Sequence, residues 1–271
     1  MAKIDLKEVT IKIFDGTLGT ATLDSTNADA DLTFTAKSRH IGTDKISVTL
    51  ADPAAASASL GVVVTGRDIV VNLATSTGSA ITSTAALIKT AIEALPAANA
   101  LVTVALETAG TGVVEAIAKT TLDGQQSLTA KVGEGNLSYS EHRNVEFTRD
   151  RGLLDTVREA DEEPVDVSMD ITWEELTAMT GDPPTIEDAL KNIGEASAWI
   201  TTADDQCQPF CVDIEFHNAP NCTGTDDEFI TLEEYYYETL DHDMREGTIS
   251  TSGRCNRKQA TVRRVAAADI A

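Results

Sequence analysis

Apolar and polar residues alternate without a break from Val165 to Trp173. Val165, Val167, Met169, Ile171 and Trp173 fall on one side and Asp166, Ser168, Asp170 and Thr172 on the other. A period of two is that of a pleated strand, so this stretch predicts a strand with one buried face and one acidic, wet face. Val212, Ile214 and Phe216 alternate in the same way with Asp213, Glu215 and His217, which predicts a second half-buried strand. Gly247 to Cys255 is a third candidate, with Thr248, Ser250, Ser252 and Arg254 on one face. Weaker alternation at Leu137 and Tyr139, then at Val145 and Phe147, marks a long extended segment. One helix interrupts the pattern: Pro183 and Pro184 precede Thr185 to Ile193, acids occupy its first turn, and Gly194 closes it.

Between about Thr17 and Gly124 the pattern changes. Short β-branched runs at 31–36, 46–50, 60–65, 68–73 and 101–106 are separated by Gly, Asp or Pro and read as strands. Thr65 to Asp68 predicts a hairpin turn in which Gly66 supplies a positive φ. A single helix is expected after Thr82 or Ser83 as N-cap, with Ala85, Leu87, Ile88, Ile92 and Leu95 at helical spacing and Pro96 as its stop. The segment reads as a small α+β module whose helix covers one sheet face.

Composition sharpens that boundary. Phe34 is the only aromatic residue of 17–124, which carries 6 basic and 10 acidic residues, whereas 125–271 carries 12 and 31. Such a shift marks a domain boundary. The whole chain of 271 residues has a formal charge of −23, which disfavours tight binding to nucleic acid, because that binding rests on cations neutralising phosphates. No run of about 18 apolar residues predicts a membrane span. The opening MAKIDLKEV lacks the apolar stretch of a signal peptide, so synthesis in the cytoplasm of a host is expected.

A search for reaction chemistry yields little. Gly133 and Gly135 are followed by a strand-like run, without the lysine or third glycine of a phosphate loop. His40, His142, His217 and His242 form no metal-binding pair. Asp161 to Glu163 and Glu174 to Glu175 read as solvated acidic stretches, and Asp241 to Asp243 lacks the later ligands of a calcium loop. The chain is therefore expected to have no catalytic residue and no cofactor. Cys207, Cys211, Cys222 and Cys255 all lie in the last quarter, and pairing of 211–217 with 247–255 would gather them. Free buried thiols, two disulfides and a structural zinc with Cys-x3-Cys as half its ligands all remain open, and all three are structural.

Several linked runs carry a resemblance. KVGEGNLSYSEHR at 131–143, RDRGLLDTVR at 149–158, EEPVDVSMDITWE at 162–174 and LDHDMREGTISTSGRCN at 240–256 resemble the tail tube proteins of long-tailed, non-contractile (siphovirus-type) bacteriophages. IDLKEVTIKIFDG at 4–16 is similar to that family's N-terminal strand. The runs GTATLDSTNADAD at 19–31 and DIVVNLAT at 68–75 resemble a small module that recurs in phage structural proteins, inserted here into the first hairpin of the tube fold.

The resemblance implies a mainly β fold: a β-sandwich or partial barrel with one flanking helix, formed by 1–16 and 125–271, and an inserted small α+β domain at 17–124. It implies a virion protein that self-assembles into stacked hexameric rings, the tail tube through which DNA passes to the host. Its partners would be further copies of itself, the tape measure protein inside the tube, the tail terminator and the distal tail protein, with passing DNA held by no specific contact and no membrane involved. Asp166 and Asp170 are the lumen-facing candidates, since like charge keeps phosphates from sticking. The insert would project outward. The competing expectations are another tail component, such as a contractile-tail tube or terminator, and an adhesion or carbohydrate-binding module.

Overall fold

The computed structural model describes residues 9–42, 45–131, 136–150, 153–172, 184–205, 207–218, 227–243, 245 and 247–265. The chain divides into two units, Met1–Gly16 with Gln126–Ala271, and Thr17–Gln125. The first strand, β1 (Val9–Phe14), belongs to the first unit. The second unit follows with β2 (Thr20–Leu23), β3 (Leu32–Ala36), β4 (Ser47–Ala51), β5 (Gly61–Thr65), β6 (Asp68–Asn72), helices α1 (Ala85–Ala94) and α2 (Pro96–Leu101), β7 (Val102–Leu106) and β8 (Ile117–Thr121). The chain then returns to the first unit with β9 (Ser127–Lys131), β10 (Asn136–Ser140), β11 (Val145–Asp150), β12 (Leu153–Glu159) and β13 (Val165–Thr172). Helix α3 (Ile186–Lys191), β14 (Val212–Asn218), β15 (Asp227–Asp243), β16 (Thr248–Cys255) and β17 (Thr261–Val265) complete it.

The first unit is built on an antiparallel sheet in the order β10-β13-β16-β15-β14-β1-β9, with β17 also on β15, and β11 and β12 pair apart from it. Its axis is β15, a strand the alternation did not mark. The first half of β15 pairs with β14 and β17, and its second half with β16. Tyr235 sits at the changeover, opposite both Val212 and Cys255. Glu234, just before it, has φ +54° beside a register shift, which bends the strand as a bulge does. The sheet so curved surrounds a core that includes Ile13, Val167, Met169, Leu190, Ile214 and Tyr235. Burial of each large aliphatic side chain contributes on the order of 2 kcal/mol. The fold is mainly β, and among the described residues the sheet stays open, with β9 paired only to β1 and β10 only to β13.

Two local expectations change. Asp213 and Glu215 are buried, so β14 has no wet face; Asp213 accepts from the Glu234 amide at 2.9 Å. The segment at 201–211 folds back on this strand, where the Thr202 amide donates to the Cys211 carbonyl at 3.1 Å. Helix α3 begins where expected, with Thr185 and Asp188 forming a reciprocal capping box. It ends at Asn192 in the left-handed region, while Gly194 opens a 3-10 turn instead of closing the helix. Trp173, Glu174, Glu175 and Pro183 lie outside the described residues.

The second unit holds two sheets, β2-β3-β7 and β5-β6-β4-β8. One core unites them with α1 through Phe34, Leu50, Ile69, Val71, Ile88 and Ile92. The N-cap of α1 is Thr84, one residue beyond the expected pair, and its side chain accepts from the Leu87 amide. Pro96 ends α1 by starting α2, since proline at the first helical position loses no hydrogen bond. Thr65 and Asp68 face each other across the expected hairpin turn, with Gly66 at φ +61°. Gln125 falls with this unit and accepts from the Gly42 amide at 3.2 Å, so the break lies after Gln125 and not after Gly124.

The whole second unit occupies the connection between β1 and β9, which pair directly from Phe14 opposite Ser127 onward. Buried Asp15 clasps the base of this connection. Its amide donates to the Gln126 carbonyl at 3.1 Å, and its carboxylate accepts from the Gln126 amide at 2.8 Å.

Candidate functional site

The outer side chains of β13 form rows with those of its neighbours, because strand register fixes which residues lie abreast. Ser138, Ser168, Ser252 and Thr239 make one row across β10, β13, β16 and β15. Asp170, Ser250 and Asp241 make the next, and Ser140, Asp166 and Arg254 flank the first on its other side. The result is a face of hydroxyls and carboxylates over a shallow cavity of about 300 Å³. Such a surface offers acceptors and negative charge, and it repels anions.

Its charge is unevenly distributed. Asp166 accepts from Arg254 Nε at 3.0 Å and lies 3.1 Å from His142 Nε2. Burial pushes its carboxyl up, but the hydrogen bonds from His142 and Arg254 outweigh this and hold it below the usual carboxylate range. Arg254 also approaches Glu238 at 3.7 Å. Asp170 is exposed and forms no ion pair among the described residues. Of the two lumen candidates, Asp166 is therefore compensated and Asp170 carries the free charge.

The cysteines do not gather as the expected strand pairing required. β15 lies between β14 and β16, so 211–217 and 247–255 never pair. Cys207 is exposed, Cys211 and Cys255 are buried, and all three are free thiols; Cys222 lies outside the described residues. Burial, with Asp213 nearby, pushes the Cys255 thiol up to about 12, which keeps it protonated near neutral pH. Cys211 Sγ rests 3.3 Å from Thr202 Oγ1.

His142, His217 and His242 are each paired with a carboxylate. His217 Nε2 is 2.9 Å from Asp227 and its ring stacks on Phe229 at 4.2 Å. His242 Nε2 is 3.2 Å from Glu187 and so ties α3 to β15. Arg257 reaches Glu233 at 3.0 Å, Glu234 at 3.1 Å and Asp204 at 3.2 Å, an anchor that no spacing pattern signalled. Asp161, Glu162 and Glu163 are exposed, and Glu162 pairs with Lys258 at 2.9 Å.

Among the described residues β9 and β10 are open edges, and β11 with β12 forms a separate two-stranded ribbon carrying exposed apolar side chains. No helix among the described residues is long and apolar enough to cross a membrane. No family model, no curated protein and no solved structure matches the chain.

Proposed function

We propose that the chain is a non-enzymatic virion protein that assembles with copies of itself into the tail tube of a long-tailed, non-contractile phage. The observation that carries the reading is the open sheet of the first unit, with β9 and β10 each paired on one side only among the described residues. Unpaired edges invite strands from another chain, and a ring of copies joined edge to edge leaves none exposed. Six copies per ring and stacked rings come from the sequence resemblance.

The outer face of β10, β13, β16 and β15 suits a lumen wall in this reading. Asp170, Asp241 and Asp243 face outward with serine and threonine around them, and the nearby Arg254 is occupied by Asp166 and Glu238. DNA phosphates meet repulsion from these carboxylates, which disfavours sticking. Thr17–Gln125 belongs outside the tube in this reading, since a folded unit of that size would block the bore. The adhesion alternative loses its aromatic platform, because Phe34, the sole aromatic of that unit, is fully buried.

Negative-stain microscopy tests the proposal: rings or tubes with a central hole are expected, and a chain that stays monomeric at every salt and protein concentration overturns it. Asp170→Lys tests the wall assignment. Assembled Asp170→Lys tubes should retain DNA at low salt where the unaltered tubes do not; equal retention removes Asp170 from the lumen.

A further inference from the structure

The second unit carries an unpaired strand edge of its own among the described residues. β5 pairs with β6 on one side and with no strand on the other among the described residues. At the opposite edge of that sheet, β8 carries Lys119, bonded to Asp68 at 3.0 Å, and a register irregularity, both devices that discourage edge pairing. β5 has neither. Residues 53–66 contain no charged side chain, and Val63 is 51% exposed.

The hairpin geometry determines which backbone groups are available. Gly66 has φ +61° and Arg67 does not enter the positive region, so the two-residue turn is of the II′ kind. Residues flanking such a turn exchange backbone hydrogen bonds, and hydrogen-bonded pairs then alternate with open ones along the ladder. Thr65/Asp68, Val63/Val70 and Gly61/Asn72 are therefore the bonded pairs. Val62 and Val64 direct their N–H and C=O groups away from β6.

We propose that β5 pairs antiparallel with β5 of a second copy of this chain, about a two-fold axis through Val63. That register sets Val62 of one copy opposite Val64 of the other and satisfies all four outward groups at once. It brings the two Val63 side chains together as a non-hydrogen-bonded pair, the closest approach in an antiparallel ladder. Thr65 of each copy then lies opposite Gly61 of the other, where a Cβ would meet nothing within 4 Å. The uncharged strip is what favours this occupant: two chains of charge −23 repel over most of their surface and can meet here without opposed carboxylates. The pairing goes beyond the tube reading and does not depend on it.

Disulfide trapping in the full chain tests it, with Cys207→Ser and Cys222→Ser removing competing thiols. Val63→Cys should cross-link into a covalent dimer under mild oxidation at least tenfold faster than Thr65→Cys, which is set opposite Gly61. Equal rates for the two variants, or no Val63 cross-link, overturn the pairing. Adding Val63→Lys to the otherwise unaltered chain should abolish the dimer seen by sedimentation at concentrations where rings are absent, and its persistence overturns the pairing too. Rings without a Val63 cross-link leave the tube reading standing alone; a Val63 cross-link without rings leaves this inference standing alone.

Discussion

Phe147 lies directly opposite Val157 in the ribbon of β11 and β12, and the two are 60% and 63% exposed. Around them Arg158 meets Glu146 at 3.0 Å and Thr148 bonds Thr156. A lone two-stranded ribbon is marginal in water, so an apolar pair displayed on one is poorly explained by folding. Under the tube proposal this pair is covered by a neighbouring copy. Phe147→Ser with Val157→Ser should reduce ring or tube formation at least tenfold while shifting the thermal midpoint by only about 2 °C. Microscopy with scanning calorimetry checks both; a large drop in midpoint with unchanged assembly would show that the pair serves folding.

Arg257 should be among the most sensitive surface-reaching residues. It holds Glu233 and Asp204 together with Glu234, whose side chain is only 1% exposed. Arg257→Met leaves that buried carboxylate without its cation and should cost about 3 kcal/mol in urea unfolding, with Arg257→Lys recovering part of it. The Asn256 side chain, which also donates to Glu234 at 2.7 Å, limits the loss.

Acid should loosen the contact between α3 and the sheet. Glu187 is held below its ordinary value of 4.5 by the Lys191 ammonium first, against an opposing burial contribution, and then by His242. A carboxyl lowered in the folded state stabilises the fold at pH above the unfolded value, and this stabilisation fades as pH falls through the folded value. The urea midpoint should therefore drop between neutral pH and about pH 3, and Glu187→Gln should make that drop smaller. An identical drop in the variant would assign the acid sensitivity to other carboxylates, such as Asp68 and Asp166, which are lowered as well.

Replacing 17–125 by a short Gly-Asn turn should leave the first unit folded, because β1 and β9 remain paired across the junction. Far-ultraviolet dichroism should keep its sheet signature and microscopy should still find rings. A chain that aggregates or loses its cooperative transition would show that the second unit supports the first.

Legibility in the sequence followed the exposure of each strand. β13 was readable because its polar side meets water, so Val165, Val167, Met169 and Ile171 stand out against Asp166, Ser168 and Asp170. β14 is marked by its alternation, but Asp213 and Glu215 mislead, since both are buried and the segment just before the strand folds back on it. β15 was hidden because the turn of its backbone at Glu234 breaks the period, and because Glu233 to Tyr237 shows no alternation. That omission also produced the wrong cysteine geometry, since β15 is what separates β14 from β16. Of the candidate face, the acids could be read and their neutralisation could not. Arg254 was seen on its strand, yet only the register places it beside Asp166.

The clasp of Asp15 on Gln126 has a consequence for descent as well as for folding. Both ends of the second unit leave the first at one point, so the loop there can lengthen at an entropic cost that grows only slowly with size. Register between Phe14 and Ser127 is indifferent to what lies beyond the clasp. A lineage is free to exchange, enlarge or shed the module without re-solving the core of its host. The two parts of the chain can thereby answer to separate selection.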